Sequence, residues 1–271
     1  MIFYIGPIRS PLIDLPEFVC SGPYELVDEG VSDGVRNWHI NMLGDFRITF
    51  SKLFTPIDVC AVGGGGGGST YVRGSASGAG GGGGYMTTKG NVQPVIGVEY
   101  QGFIGAGGKA APIYGGRGGT TSGFSCVAEG GYGGNGYAGG NGGSGGGAAG
   151  AGENGDSGAG GSNGSNGGNG TGVAGATGGT GSGVPTTAFY GLPGSIGDNT
   201  LYCAGGAGAR VYYTNNKNGG VTGGGYVMNG AGGSGLRWSG AGGGGSGKND
   251  DKVTAGDGGS GILIIRNSRR A

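Results

Sequence analysis

GENGDSGAGGSNGSNGGNGTG, residues 152–172, holds glycine at 152, 155, 158, 161, 164, 167 and 170. Between them stand mostly Asn, Ser, Ala, Glu, Asp or further Gly, and no proline falls between Pro112 and Pro185. Collagen keeps this period with about one-third Gly and at least about 15% Pro. Here 82 Gly come with only 9 Pro in 271 residues. On composition alone, a disordered Gly/Ser/Asn linker competes with a bundle of polyglycine-type left-handed helices. Such a helix has three residues per turn, about 3.1 Å rise and no internal hydrogen bonds. Its N–H and C=O groups must pair sideways, because unpaired buried backbone is costly. Sideways pairing needs close approach of backbones. Gly at every third place leaves one face without Cβ, and two Gly in three leave two such faces. The third face then carries a small side chain to solvent, as in GGN, GGS, NGS and NGT. Proline is excluded because each buried segment needs its N–H. Gly loses more freedom on folding than any other residue, so the bundle needs cooperative ladders and a rigid seed.

The seed is expected from the β-like runs at either end. YELVDEG (24–30), NWHINML (37–43), FRITF (46–50), IDVCAV (57–62), YMTTKGNV (85–92) and VIGVEYQGFIGAGG (95–108) mix alternation with aromatic and β-branched residues. Gly44-Asp45 between two of them is a hairpin signal. GILIIRN (261–267) suits a buried strand, and no helix is expected. The fold class is therefore mainly β plus a polyglycine-II bundle. Residues 1–23 form an N-terminal attachment segment, and residues 24–108 form a β module completed by 259–267. Residues 109–258 form the glycine-rich body.

Composition excludes several functions. Lys+Arg and Asp+Glu balance at 16 each, against a nucleic-acid or acidic-membrane surface. Cys20, Cys60, Cys126 and Cys203 show no C-x-x-C spacing, and His39 is the single histidine. Zinc is not expected, and free thiols of a cytosolic product are. The start lacks a basic leader and a small-residue cleavage site, so no secretory signal is expected. No apolar run reaches the 18 or so residues of a membrane span. GGGGSGKN (242–249) mimics a phosphate loop, but Asn249 stands where Ser or Thr is needed and no strand precedes it. His39 reads as structural. No enzyme and no cofactor are expected.

IDVCAVGGGGGGST, YMTTKGNV with GVEYQGFIGAGG, LYCAGGAGA and the closing GGSGILIIRN resemble the glycine-rich domain of bacteriophage and prophage tail proteins. The resemblance spans residues 24–267. More loosely, the architecture is similar to adhesins at the tips of long tail fibres of some T-even-like phages. It implies a virion tail protein, made in the host cytoplasm, that binds a bacterial surface receptor (protein or glycan) without catalysis. Other tail proteins and a second copy of the chain are the implied partners. A purely structural spacer, fibre cap or filament subunit is the alternative. An ice-binding protein fits less well, because 152–172 is rich in Asn, Asp and Glu and the interrupting loops are bulky.

The interruptions of the glycine pattern carry the candidate site. Tyr, Trp, Arg and Asn on a Gly/Ser background are the palette of antibody-like paratopes. KAAPIYGGR (109–117), RVYYTNNKN (210–218) and LRWS (236–239) are such stretches, whereas FSCVAE (124–129) and LYC (201–203) read as short buried runs. The receptor-binding candidates are Tyr212, Tyr213, Asn215, Arg237 and Trp238. The 219–235 stretch is long enough to run out and back, which would bring both groups to one end of the body.

Overall fold

The computed structural model describes residues 15–32, 35–70, 78–149, 166–169, 202–209, 224–228, 231–247 and 254–268. Apart from 166–169, the 152–172 stretch lies outside the described residues, as do Tyr212, Tyr213 and Asn215. The described part is mainly β, with no helix. Its longer strands are β1 (Glu17–Ser21), β2 (Tyr24–Ser32), β3 (Val35–Met42), β4 (Phe46–Lys52), β5 (Ile57–Val62), β7 (Met86–Val92), β8 (Glu99–Gly102) and β14 (Ile262–Asn267). Short strands lie between them: β6 (Ser69–Thr70), β9 (Ala111–Pro112), β10 (Thr121–Gly123), β11 (Cys126–Ala128), β12 (Val227–Met228) and β13 (Ala231–Gly232).

A five-stranded antiparallel sheet has the order β2-β3-β14-β5-β7, and a three-stranded sheet has the order β1-β4-β8. The C-terminal strand thus sits at the centre of the larger sheet. Its ILIIRN sequence has no polar face because neither face meets water. Leu263 and Ile265 join Trp38, Ile40, Met42, Phe46, Ile48 and Phe50 in the core of the β module. Ile262 and Ile264 point the other way, to Cys60, Val62, Met86, Tyr202 and Cys203. FSCVAE, expected to be a buried run, is buried only at alternate residues: Phe124, Cys126 and Ala128 are buried and Ser125, Val127 and Glu129 exposed, whereas Tyr202 and Cys203 of LYC are both buried.

The hairpin expected at Gly44-Asp45 does not form. β3 pairs with β2 and β14, whereas β4 pairs with β1 and β8. The reason is competition for an edge: β14, apolar on both faces, takes the side of β3 that β4 would need. The chain therefore turns a corner between sheets, and the apolar residues of β3 and β4 meet in one core. Pro23 O accepts a bond from Leu43 N at 3.0 Å, and Asp45 Oδ1 accepts one from Ile104 N at 2.9 Å. Glu17–Ser21, inside the segment expected to serve attachment, is a strand of the smaller sheet.

Beyond β5 the chain enters a body built of backbone. Its central segment is 63–69. Gly63 N donates to Tyr85 O, Gly64 N to Gly119 O and Gly65 N to Gly259 O. The cycle then repeats one turn on, with Gly66 N to Gly82 O, Gly67 N to Gly116 O and Gly68 N to Gly256 O. All of these are 2.8 or 2.9 Å long. The acceptors belong to three segments running antiparallel to it, 78–85, 115–119 and 256–259. Its own carbonyls accept from three parallel segments: Gly64 O from Gly131 N, Gly65 O from Gly108 N and Gly66 O from Gly243 N. The next turn repeats this with Gly134, Ala111 and Ser246. Segment 78–85 is enclosed in the same way, by 63–69, 129–132, 140–143, 144–147, 203–209 and 240–246.

Only Gly permits this spacing. A Cβ on any of Gly63–Gly68 would lie 2.0–2.3 Å from a carbonyl oxygen of a neighbouring segment. Both enclosed segments lie upstream of residue 109, where the sequence reading begins the body.

The buried thiols offer a test of how closed this junction is. Burial pushes the Cys60 and Cys203 thiols far up, and the nearby Cys126 and Cys203 add to the effect on Cys60. Thiolate is the reactive form. At pH 8.5 iodoacetamide is expected to modify half-buried Cys20 first and to leave Cys60 and Cys203 intact until denaturant is added. Mass-spectrometric mapping checks the order; early labelling of Cys203 would mean the junction opens.

Candidate functional site

Outward positions of the body recur every third residue. Along 103–112 the exposed residues are Phe103, Ala106, Lys109 and Pro112. Along 114–120 they are Tyr114, Arg117 and Thr120, and along 129–135 Glu129, Tyr132 and Asn135. These three segments lie side by side, tied by Gly116 N to Lys109 O, Gly119 N to Ala106 O, Gly115 N to Gly134 O and Gly118 N to Gly131 O. The Arg117 guanidinium lies 4.4 Å from the Tyr132 ring centroid and also pairs with Glu129. Lys109 Nζ is 2.8 Å from Asp257 Oδ2. Partial burial disfavours the ionised Asp257, but Lys109 and the Ala110 N–H outweigh it and hold the carboxyl below its usual range.

The end of the body far from the sheets is closed by two turns. Ile113 N donates to Thr70 O at 2.8 Å, and Gly136 N donates to Ile113 O at 2.6 Å. Asn135 and Ala138 exchange backbone bonds of 2.9 Å. Ile113, Tyr114 and Tyr137 are exposed there. Ile113 has φ 64, a left-handed conformation that a β-branched residue adopts only under external constraint.

Of the candidate residues expected to share one end, Tyr212, Tyr213 and Asn215 lie outside the described residues, and Arg237 and Trp238 are described. Trp238 sits at the base, where its Nε1–H donates to Leu43 O at 3.1 Å and its N–H to Ser260 Oγ at 3.0 Å. Arg237 lies over its ring at 5.4 Å from the centroid. Ala209, from which RVYYTNNKN continues, is bonded to Gly78 at the far end. Between these points the described chain runs in 224–228 and back in 231–239, which pair antiparallel. Trp238 has φ 58 and is a fixed contact between body and β module. Exposed Tyr132 and Tyr137 were missed by the sequence reading, and Ile113 and Tyr114 were noted only as part of the KAAPIYGGR stretch. For Tyr132, which follows Gly130 and Gly131, the signal was available: a bulky residue at the third position after two glycines must point out of such a body.

His39 lies within the larger sheet. Its Nδ1 lies 2.7 Å from Glu29 Oε1, and the residue is buried on β3 directly opposite Arg266 of β14. Among the described residues no group of His, Cys, Asp and Glu could hold a metal ion, and no helix is long and apolar enough to cross a membrane.

A comparison with curated proteins found no match. The family model described as glycine-rich domain matches residues 41–268, which takes in β4, both enclosed glycine segments and β14. The chain belongs to the glycine-rich domain family.

Proposed function

We propose that the protein is a bacteriophage tail-tip or tail-fibre component that binds a bacterial surface receptor without catalysis. In this reading the glycine-rich body is a polyglycine-II bundle acting as a rigid display scaffold. The hydrogen bonds of 63–69, which change partner at each residue and return every third, support that reading. The observation that carries the functional proposal is the placement of side chains. The interior of the body is backbone, and exposed Ile113, Tyr114 and Tyr137 cap the end opposite the β module. A rigid scaffold lowers the ordering cost of the residues it presents, and aromatic anchors dominate binding energy at about 2 kcal/mol or more per hot spot. Tyr212, Tyr213 and Asn215, which follow Ala209 in the sequence, are proposed as receptor contacts. The β module, completed by the C-terminal strand, is proposed as the side that joins other tail proteins. The virion tail is the corresponding location.

The test is adsorption of purified protein to candidate bacterial cells. A Tyr212→Ala/Tyr213→Ala/Asn215→Ala variant is expected to keep the parent melt and lose adsorption. Arg237→Ala/Trp238→Ala is expected to lower the melting temperature, because Trp238 ties the body to Leu43 and Ser260. Full adsorption by the triple variant would favour the spacer or fibre-cap reading.

A further inference from the structure

We propose that the lateral face formed by segments 105–112, 114–120 and 129–135 binds a neutral saccharide chain, with Tyr114 and the Arg117–Tyr132 pair as its platform. It rests on the receptor reading only in taking the body as a display scaffold, and its residues are different ones.

Tyr114 is 64% exposed and Tyr132 47%. Both are held from beneath by lattice bonds of their own segments rather than by side-chain packing. Asn135 lies level with Tyr114 through a backbone bridge, and Arg117 stands one turn along from Tyr114 on the same segment. Three residues at about 3.1 Å rise place these planar groups roughly 9 Å apart along the body axis. A ring beside an amide at one level, and a guanidinium stacked on a ring one turn along, fit a chain of pyranose rings. Their C–H faces stack on aromatic rings, and their hydroxyls pair with planar donors and acceptors.

Charge decides against other ligands. Lys109 is paired with Asp257 and Arg117 with Glu129, so the face has no surplus cation to draw a phosphate or an acidic glycan. An apolar protein partner needs a contiguous apolar patch of several hundred Å². Along 114–120 and 129–135 each large group is separated from the next by two glycines, and the contiguous apolar residues Pro112 and Ile113 lie at the end beside Tyr114.

The test uses the full chain on an array of immobilised neutral and acidic oligosaccharides, followed by calorimetry with the best soluble binder. Binding to neutral members is expected. Tyr114→Ala/Tyr132→Ala is expected to weaken it at least about tenfold, equivalent to about 1.4 kcal/mol, with an unchanged melt. Tyr114→Phe/Tyr132→Phe keeps the rings and is expected to retain binding, which separates lost stacking from lost folding. Binding confined to acidic glycans, no binding at all, or equal affinity in the Ala variant overturns the proposal. Cell adsorption separates the two readings. Parent-like adsorption by the Tyr114/Tyr132 Ala variant leaves the receptor reading standing without this face. Glycan binding without adsorption to any host does the reverse.

Discussion

Gly66→Val is expected to lower the melting temperature by more than about 10 °C, while Ala106→Val, the same kind of enlargement at an exposed position, leaves it within about 2 °C. Gly66 is bonded on all sides: its N–H goes to Gly82 O, and its carbonyl accepts from Gly243 N. A Cβ there would lie 2.1 Å from Tyr132 O and 2.7 Å from Gly133 N. Those atoms are backbone, so no rotamer change relieves the clash. One segment must move, and the ladder bonds it shares with its neighbours stretch together. Overpacking of an ordinary core costs about 1–3 kcal/mol, and each lost hydrogen bond adds about 1 kcal/mol. A sum above about 4 kcal/mol corresponds to more than about 10 °C at about 2–4 °C per kcal/mol for a domain of this size. Ala106 already points to solvent, and the added methyl groups meet nothing. Calorimetric melts of the two variants decide. Equal shifts would mean that the enclosed segment is free to swell, and the close-packed picture would fall.

The same geometry explains what was legible in the sequence. Gly at every third position anticipates sideways-bonded segments, and strands β2, β3, β4, β5, β7 and β14 lie where alternation and β-branched residues place them. The centre of the body was not read. A segment surrounded on every side can bear no side chain, so its sequence is the featureless GGGGGG of 63–68, which has no phase to detect. Segments at the rim, such as GGRGGT of 115–120, show the period because every third residue escapes outward. Long glycine runs therefore mark the inside and interrupted runs the outside. The Gly44-Asp45 corner was misread for another reason. A two-residue loop reports on local turn geometry, whereas the partner of β3 was fixed by β14, more than 200 residues away. The anchoring of Trp238 was hidden for a similar reason. Its partner is distant in sequence: the indole N–H donates to Leu43 O on the β3–β4 corner.

Arg266→Met is expected to destabilise the chain by about 3–5 kcal/mol, and adding Asp58→Leu to recover most of that loss. Arg266 is 0% exposed and Asp58 1% exposed. They face each other across β14 and β5, with Arg266 Nε 3.4 Å from Asp58 Oδ2. His39 lies opposite Arg266 on the other side and is paired with Glu29. Arg266 thus stands between His39 on one neighbouring strand and Asp58 on the other. Removing the guanidinium leaves a buried carboxylate without its cation, the case that costs about 3–5 kcal/mol. Removing both charges takes away the desolvation penalty along with the attraction, and apolar replacements of a buried pair are often neutral. Recovery should stop short of complete. Asp58 Oδ1 also accepts the Asn91 N–H at 3.0 Å, and leaving that donor unmatched costs about 1–3 kcal/mol. Urea melts of the parent, both single variants and the double variant give the coupling directly. A single Arg266→Met loss below about 1 kcal/mol, or a double variant no better than the single, would show that the two side chains are solvated separately rather than held as one pair beneath the sheet.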